Sequence, residues 1–225
     1  RLQKNCFATM VIAGIDVIVS RTGYTGEEYG YELFLHPDHA STLWNAILER
    51  GSVEGVVPVG LGARDSLRIE AGLPLHGHEL AGPYNLSPIE AGFGPYVKLH
   101  KAFFIGRTAL YTRMMESKRI LIRFRVNTRG VRIVKLHDHV ISRRTGQVIG
   151  RVTSSAVGSD GLQVGMAWVD WKIATEGTPI GIIPAQRERP KLEFGKKFPL
   201  HVEATILSRF PVKQDMELQP SEEKI

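Results

Sequence analysis

The sequence has one cysteine, Cys6, among its 225 residues. No internal disulfide can form, and a chain that relies so little on sulfur suits a reducing compartment. No uninterrupted apolar run approaches the ~18 residues of a membrane span. Residues 1–7 lack the layout of a signal peptide, a charged start followed by an apolar stretch. Glycine loops of the Walker or dinucleotide type are missing, and so is a Gly-x-Ser-x-Gly elbow; nucleotide binding and serine hydrolysis both lose their usual sequence basis. Aromatic residues make up only 8% of the chain. The basic residues give a net charge of +6, yet they are dispersed among acids. Their densest clusters, Arg143-Arg144, Arg187 to Arg189 and Lys196-Lys197, have no aromatic stacking platform between them, which argues against a nucleic-acid site. A general positive field suits an anionic small ligand or an acidic partner.

What is there is an ordinary globular core composition, 43% apolar, with no internal repeat. The length exceeds that of a usual single domain, so one large or two modest domains are expected. Val11, Ile15, Val17 and Val19 alternate around Ala13-Gly14 and predict a hairpin. Pro37-Asp38 predicts a helix start. Ala40, Leu43, Trp44, Ile47 and Leu48 make one stripe at helical spacing, with Trp44 as a core anchor and Gly51 as the stop. Further helices are expected over 63–71, closed by Gly72 and Pro74, and over 104–115, opening at Gly106. After residue 116 the helical patterns give way to short apolar runs at 120–126, 148–153, 164–169, 179–183 and 200–207. That spacing predicts a small antiparallel barrel or sandwich. Residues 185–198 read as a loop or hairpin tip, and the tail from residue 213 as frayed.

Two segments carry the chemistry. The first is Arg21-Thr22-Gly23-Tyr24-Thr25-Gly26-Glu27-Glu28-Tyr29-Gly30-Tyr31-Glu32. Its glycines let backbone approach a flat ligand, and it delivers an aromatic face and a carboxylate. On local pattern alone it is equally a polar hairpin with turn glycines. The second is Gly60-Leu61-Gly62-Ala63-Arg64-Asp65-Ser66-Leu67-Arg68-Ile69-Glu70-Ala71-Gly72, followed by Leu75-His76-Gly77-His78-Glu79. Arg64 and Arg68, four apart, share a helical face; Asp65 and Glu70 suit intramolecular ion pairs. His76 and His78 invite a metal, but no further His or Cys cluster supplies the remaining ligands, so no metal is assigned.

In this order and separation the two segments closely resemble the glycine-cleavage T-protein (aminomethyltransferase) family. The resemblance continues through Ser87-Pro88-Ile89-Glu90-Ala91-Gly92-Phe93-Gly94, Phe104-Ile105-Gly106-Arg107 and Ile149-Gly150-Arg151-Val152-Thr153-Ser154-Ser155, from about residue 11 to about residue 210. It implies an α+β chain: a partial folate-binding domain over 1–116, a C-terminal antiparallel β-barrel or sandwich over 117–212, and a tail over 213–225. It implies tetrahydrofolate as ligand and the lipoylated H-protein as partner, with no nucleic acid and no membrane. The setting would be the cytoplasm of a bacterium or archaeon, or the mitochondrial matrix in a eukaryote. The implied reaction moves the aminomethyl carbon from the lipoyl arm to tetrahydrofolate with loss of ammonia. By the same resemblance Glu32 orients the pterin, its two oxygens accepting from two neighbouring ring donors. Arg64 is then a folate-site contact, and Tyr24 lines the folate cavity. This chain carries one residue more than the family pattern before Glu32, placed here at Tyr29. The family's aspartate beside the reactive nitrogen belongs to a segment preceding Asn5, so no catalytic residue is assigned.

Three other readings remain open. Sarcosine or dimethylglycine dehydrogenases and demethylases share parts of the first segment. A non-catalytic folate-binding relative of the iron–sulfur assembly type carries a Lys-Gly-Cys motif, where this chain has His100-Lys101-Ala102-Phe103-Phe104-Ile105-Gly106 without cysteine. A β-domain interaction module would bind no folate at all.

Overall fold

The computed structural model describes residues 2–185 and 202–211. The expected loop at 185–198 lies outside the described residues apart from Ala185, and the tail over 213–225 lies wholly outside, as do the basic clusters at 187–189 and 196–197. By compactness the chain divides into a unit ending at Arg68 and one beginning at Ile69.

In the first unit, β1 (Phe7–Ile12), β2 (Ile15–Ser20) and β3 (Glu32–Phe34) form an antiparallel sheet in that order. Ala13 and Gly14 turn the first hairpin with φ of 51° and 77°, the left-handed pair that matches strand twist. Ile15, Val17 and Val19 alternate onto one face and pack with Leu33 and with Leu43 of α1 (Ala40–Gly51). The helix is preceded by a separate 3₁₀ turn, Pro37–His39, in which the His36 ring accepts from the Asp38 amide.

Two details of α1 differ from expectation. The α-helix does end at Gly51, but not with a left-handed cap: Gly51 is right-handed, φ −82°, a 3₁₀ turn, Ser52–Glu54, follows it, and the left-handed residue is Gly55, φ 77°. Gly51 is small for another reason, since a Cβ there would lie 2.6 Å from Val56 Cγ2, where the chain folds back on the helix end. Nor is Trp44 a core anchor: it is 52% exposed, as is much of Ile47. The sheet buries the helix stripe only at Leu43, so the residues one step around the helix are left outside it.

The helix α2 (Leu61–Glu70) ends before Gly72, φ 70°. The helix α3 (Arg107–Glu116) opens after Gly106, φ 89°. From there β4 (Arg119–Val126), β5 (His139–Ser142), β6 (Val148–Val157), β7 (Gln163–Asp170), β8 (Pro179–Ile183) and β9 (Val202–Leu207) close a barrel in the order β4-β7-β6-β5-β8-β9. Every pairing is antiparallel. The expected barrel or sandwich is thus a barrel, and an α+β chain is confirmed. The strand β5 escaped the sequence reading because only Val140 and Ile141 are apolar between two histidines, an aspartate and a serine.

Inward-facing Ile122, Phe124, Val126, Val140, Val152, Ala167, Val169, Ile180, Ile182, Val202, Ala204 and Ile206 fill the barrel. Gly165 gives Phe124 its space, because a Cβ there would lie 2.5 Å from Phe124 Cζ. A second cluster, Ile69, Leu86, Ala91, Leu121, Val164 and Met166, covers one outer side. There the Arg209 guanidinium donates to the carbonyls of Ala91 and Gly72. Gly72 and Gly92 both leave room for that side chain. Burial lowers the Arg209 pKa to about 10, with the Glu79 carboxylate opposing the shift.

Candidate functional site

Glu32 opens β3 directly opposite Ser20 of β2, which pairs with Phe7 of β1. Side chains alternate along a strand, and Val17, Val19 and Leu33 take the core side. Glu32 therefore projects from the other face, together with Ile18 and Phe34. That face is open: Phe7 is 72% and Phe34 56% exposed. The Glu32 carboxylate accepts a short hydrogen bond from Thr22 Oγ1, and the Ser20 hydroxyl lies 3.0 Å from the same Thr22 oxygen. A chain of two hydroxyls thus orients an exposed carboxylate and leaves its remaining lone pairs outward.

The loop that delivers Thr22 depends on two glycines. A Cβ on Gly30 would lie 3.2 Å from the Thr22 carbonyl and 3.5 Å from Gly23 Cα, so the two limbs of the loop touch backbone to backbone. The glycines draw the loop closed upon itself, which holds Thr22 against Glu32. Gly26, φ 87°, is at the tip.

Arg64, in the first turns of α2, lies over the Tyr24 ring at 5.5 Å. The arginine is exposed and the tyrosine half-buried. Tyr24 and Arg64 are thus brought together as a pair, while Glu32 is held by Thr22. Arg68 bridges to Asp65 at 2.8 Å, whereas Glu70 accepts from the amide and hydroxyl of Ser159. Tyr29 carries Arg21 over its ring at 4.7 Å. That contact ties the loop to the N-terminal segment, where Arg21 also donates to the Leu2 carbonyl.

The His76–Glu79 turn is structural. Glu79 is fully buried and accepts from the Leu75 amide at 2.9 Å and the Ser154 hydroxyl at 2.7 Å. His76 and His78 are exposed, and no group of His, Cys, Asp or Glu among the described residues can hold a metal ion. The hydroxyls of the Ile149–Ser155 segment serve the fold too: Thr153 donates to the Met166 carbonyl and Ser155 to the Val134 carbonyl.

Two buried carboxylates were not legible beforehand. Asp138 accepts from both Arg132 guanidinium nitrogens, from the Lys135 amide and from the Ala185 amide. Glu90 accepts from the Ser87 amide, the Ser117 hydroxyl and Arg113 Nε. Burial pushes the Glu90 pKa up, but those hydrogen bonds and the arginine outweigh it, and the net shift is downward. Glu90 and Arg113 also line an open cleft of about 550 Å³ with Thr112, Glu116 and Ser117. Because Glu90 is bonded from three sides, it acts as a clip between α3 and the Ser87–Glu90 turn. Only the acid-serine spacing of Ser87 and Glu90 hinted at it.

A family model described as the GCVT N-terminal domain matches residues 5–101. An aminomethyltransferase of Halothermothrix orenii is 43% identical over 185 residues, covering 80% of this chain and 49% of that protein. One of Caldanaerobacter subterraneus is 43% identical over 175 residues, covering 76% and 45%. Among solved structures, the glycine cleavage system aminomethyltransferase T from Bartonella henselae superposes with a TM-score of 0.66 at 29% identity, over 85% of this chain and 48% of its own. The chain spans about half the length of the curated relatives it matches. Among the described residues, no helix is long and apolar enough to cross a membrane.

Proposed function

The chain belongs to the glycine-cleavage T-protein (aminomethyltransferase) family, and on that premise we propose that it serves tetrahydrofolate-dependent one-carbon transfer. The aminomethyl group on the lipoyl arm of an H-protein would be the donor. Tetrahydrofolate accepts its carbon as a methylene bridge between two nitrogens, and ammonia leaves. Glu32, Arg64 and Tyr24 are the residues we assign to the folate. Their work is positional, because holding two reactants in a fixed geometry removes much of the entropic barrier.

The observation that carries this reading is the Glu32 carboxylate, exposed on an open face and oriented by the Thr22 hydroxyl. A reduced pterin presents two donors side by side, and a carboxylate held from behind still offers acceptors to both. Tyr24, in the same loop, supplies an aromatic face, and Arg64, lying over that ring, a planar cation for a folate carboxylate. For function we keep the folate-binding part at 1–116 and the barrel part at 117–212, although compactness divides the chain at Arg68. The single exposed Cys6 fits action in a reducing cytoplasm.

Isothermal titration with tetrahydrofolate tests this. Glu32→Gln replaces one acceptor oxygen by a donor facing a donor, and affinity should fall by roughly 2–4 kcal/mol. Glu27→Gln and Glu28→Gln, in the same loop, should bind as wild type. Equal and negligible effects at all three positions would remove the pterin-orienting role. Methylene-tetrahydrofolate formation from aminomethylated H-protein, measured against sarcosine and dimethylglycine as donors, separates this reaction from those of other folate enzymes.

A further inference from the structure

His139 of β5, Arg151 of β6 and Trp168 of β7 stand directly opposite one another across two ladders of the barrel. Opposite residues on neighbouring strands share a face. Here it is the outer face, because Val140, Val152, Ala167 and Val169, their chain neighbours, point into the core. Arg119 of β4 lies over the Trp168 ring at 4.6 Å, and Tyr84 meets that ring edge-on at 6.0 Å. The Tyr84 hydroxyl donates to the Val152 carbonyl at 3.0 Å and lies 2.8 Å from His137 Nδ1.

Three polar groups in this row have no protein partner among the described residues. Trp168 Nε1 is buried without a hydrogen bond, and so is Nδ1 of His139, a residue only 6% exposed. The half-buried Arg151 guanidinium makes neither a hydrogen bond nor an ion pair. Buried polar groups are nearly always satisfied, so two unmet ones flanking a guanidinium without a partner among the described residues ask for a ligand. The charges say which kind. Burial lowers the Arg119 pKa; Asp170 opposes that shift and Arg151 adds to it. Burial and then Arg151 lower the His139 pKa, against the opposing pull of Asp138. Arg151 is left as one uncompensated positive charge between the Trp168 and His139 nitrogens, a match for a single planar carboxylate group and a poor match for a doubly charged phosphate near Asp170.

We propose that the outer row His139–Arg151–Trp168, flanked by Arg119, is a carboxylate-binding site. Arg151 supplies the charged fork, and Trp168 Nε1 and His139 Nδ1 the neighbouring donors. The carboxylate comes either from a free small acid or from an acidic segment of a docked protein. The site goes beyond the folate reading and does not depend on it.

The test is a titration at constant ionic strength, followed on the indole N–H signals of the ¹⁵N-labelled protein. Its tryptophans are Trp44, Trp168 and Trp171, and Trp168→Phe assigns the central one. The probes are glutarate, the tripeptide Glu-Glu-Glu and inorganic phosphate. The Trp168 signal should shift saturably with a carboxylate while those of Trp44 and Trp171 stay still. Arg151→Gln should weaken binding by at least about tenfold, and Arg151→Lys, which keeps charge and bulk, by less. Arg125→Gln, an exposed arginine elsewhere on β4, should change nothing. Glutarate binding as tightly as the tripeptide identifies a small acid, and tighter tripeptide binding an acidic protein segment; either supports the site. A shift from phosphate as strong as from the carboxylates would overturn the assignment. So would no saturable shift, or one undiminished in both Arg151 variants.

Discussion

The barrel and the three-stranded sheet spend their apolar residues differently. In the barrel, alternate residues of each strand meet in one closed interior, and Phe124 is fully buried at its centre. In the sheet, only the Ile15–Val17–Val19 side is covered, while Phe7, Val11, Ile18 and Phe34 remain exposed on the face that carries Glu32. A closed sheet encloses one whole face and has no free edge, leaving only its outer face to neighbours and solvent. An open one keeps a face available, and the candidate folate residue stands on it. Stability is thus concentrated in the barrel, and the folate chemistry proposed for Glu32 falls on the part with the least burial.

The largest effect should come from the barrel centre. Phe124→Ala should cost about 3–5 kcal/mol of stability in chemical denaturation. Phe34→Ala on the open sheet face should cost no more than about 1 kcal/mol. A comparable cost at both positions would erase the contrast between the regions. Next is Gly165→Ala, which places a methyl where Phe124 lies and should destabilise by roughly 1–3 kcal/mol through overpacking; a neutral result in the same melts would mean the barrel interior has slack.

Glu90 sharpens the comparison through pH. Its folded pKa lies below the ordinary 4.5. Its stabilisation is therefore fully present above the unfolded value and is lost as pH falls through the folded one. At neutral pH Glu90→Gln should cost about 1–2 kcal/mol. The gap between wild type and variant should narrow below pH 4.5; a gap constant down to pH 3, or one widening there, would contradict the network drawn around it. The smallest effect is expected in the open loop, where Thr22→Val removes the hydroxyl behind an exposed carboxylate. Stability should change by less than about 1 kcal/mol, with folate affinity the more sensitive readout.

Much of this was legible in the residues themselves. Alternation around Ala13-Gly14 placed the first hairpin, because a period of two and a left-handed turn pair are local properties. Short apolar runs after residue 116 announced an antiparallel β region for the same reason. Through the family resemblance, the motif from Thr22 to Glu32 and the one from Gly60 to Gly72 single out Glu32, Tyr24 and Arg64 as the residues proposed for folate. Legibility failed where a residue's role depends on something distant in the chain. Trp44 was misjudged because the narrow sheet over α1, which buries only Leu43, lies beyond the helix pattern, and so does Val56, whose return onto the helix end keeps Gly51 small. The strand β5 was missed because only the pairing with β6 and β8 makes His139–Ser142 a strand.

What the sequence by itself determined is the local conformation and the family: turn glycines, strand and helix periods, and ordered motifs are written along the chain. What only the tertiary structure decided is how side chains from separate elements share one environment. It closed the barrel by setting β9 between β4 and β8. It turned Glu79 inward onto Ser154 and set Arg64 over Tyr24. It aligned His139, Arg151 and Trp168 into one row. Pairing across long loops carries no local signal, since register is fixed only when the opposing faces are buried together.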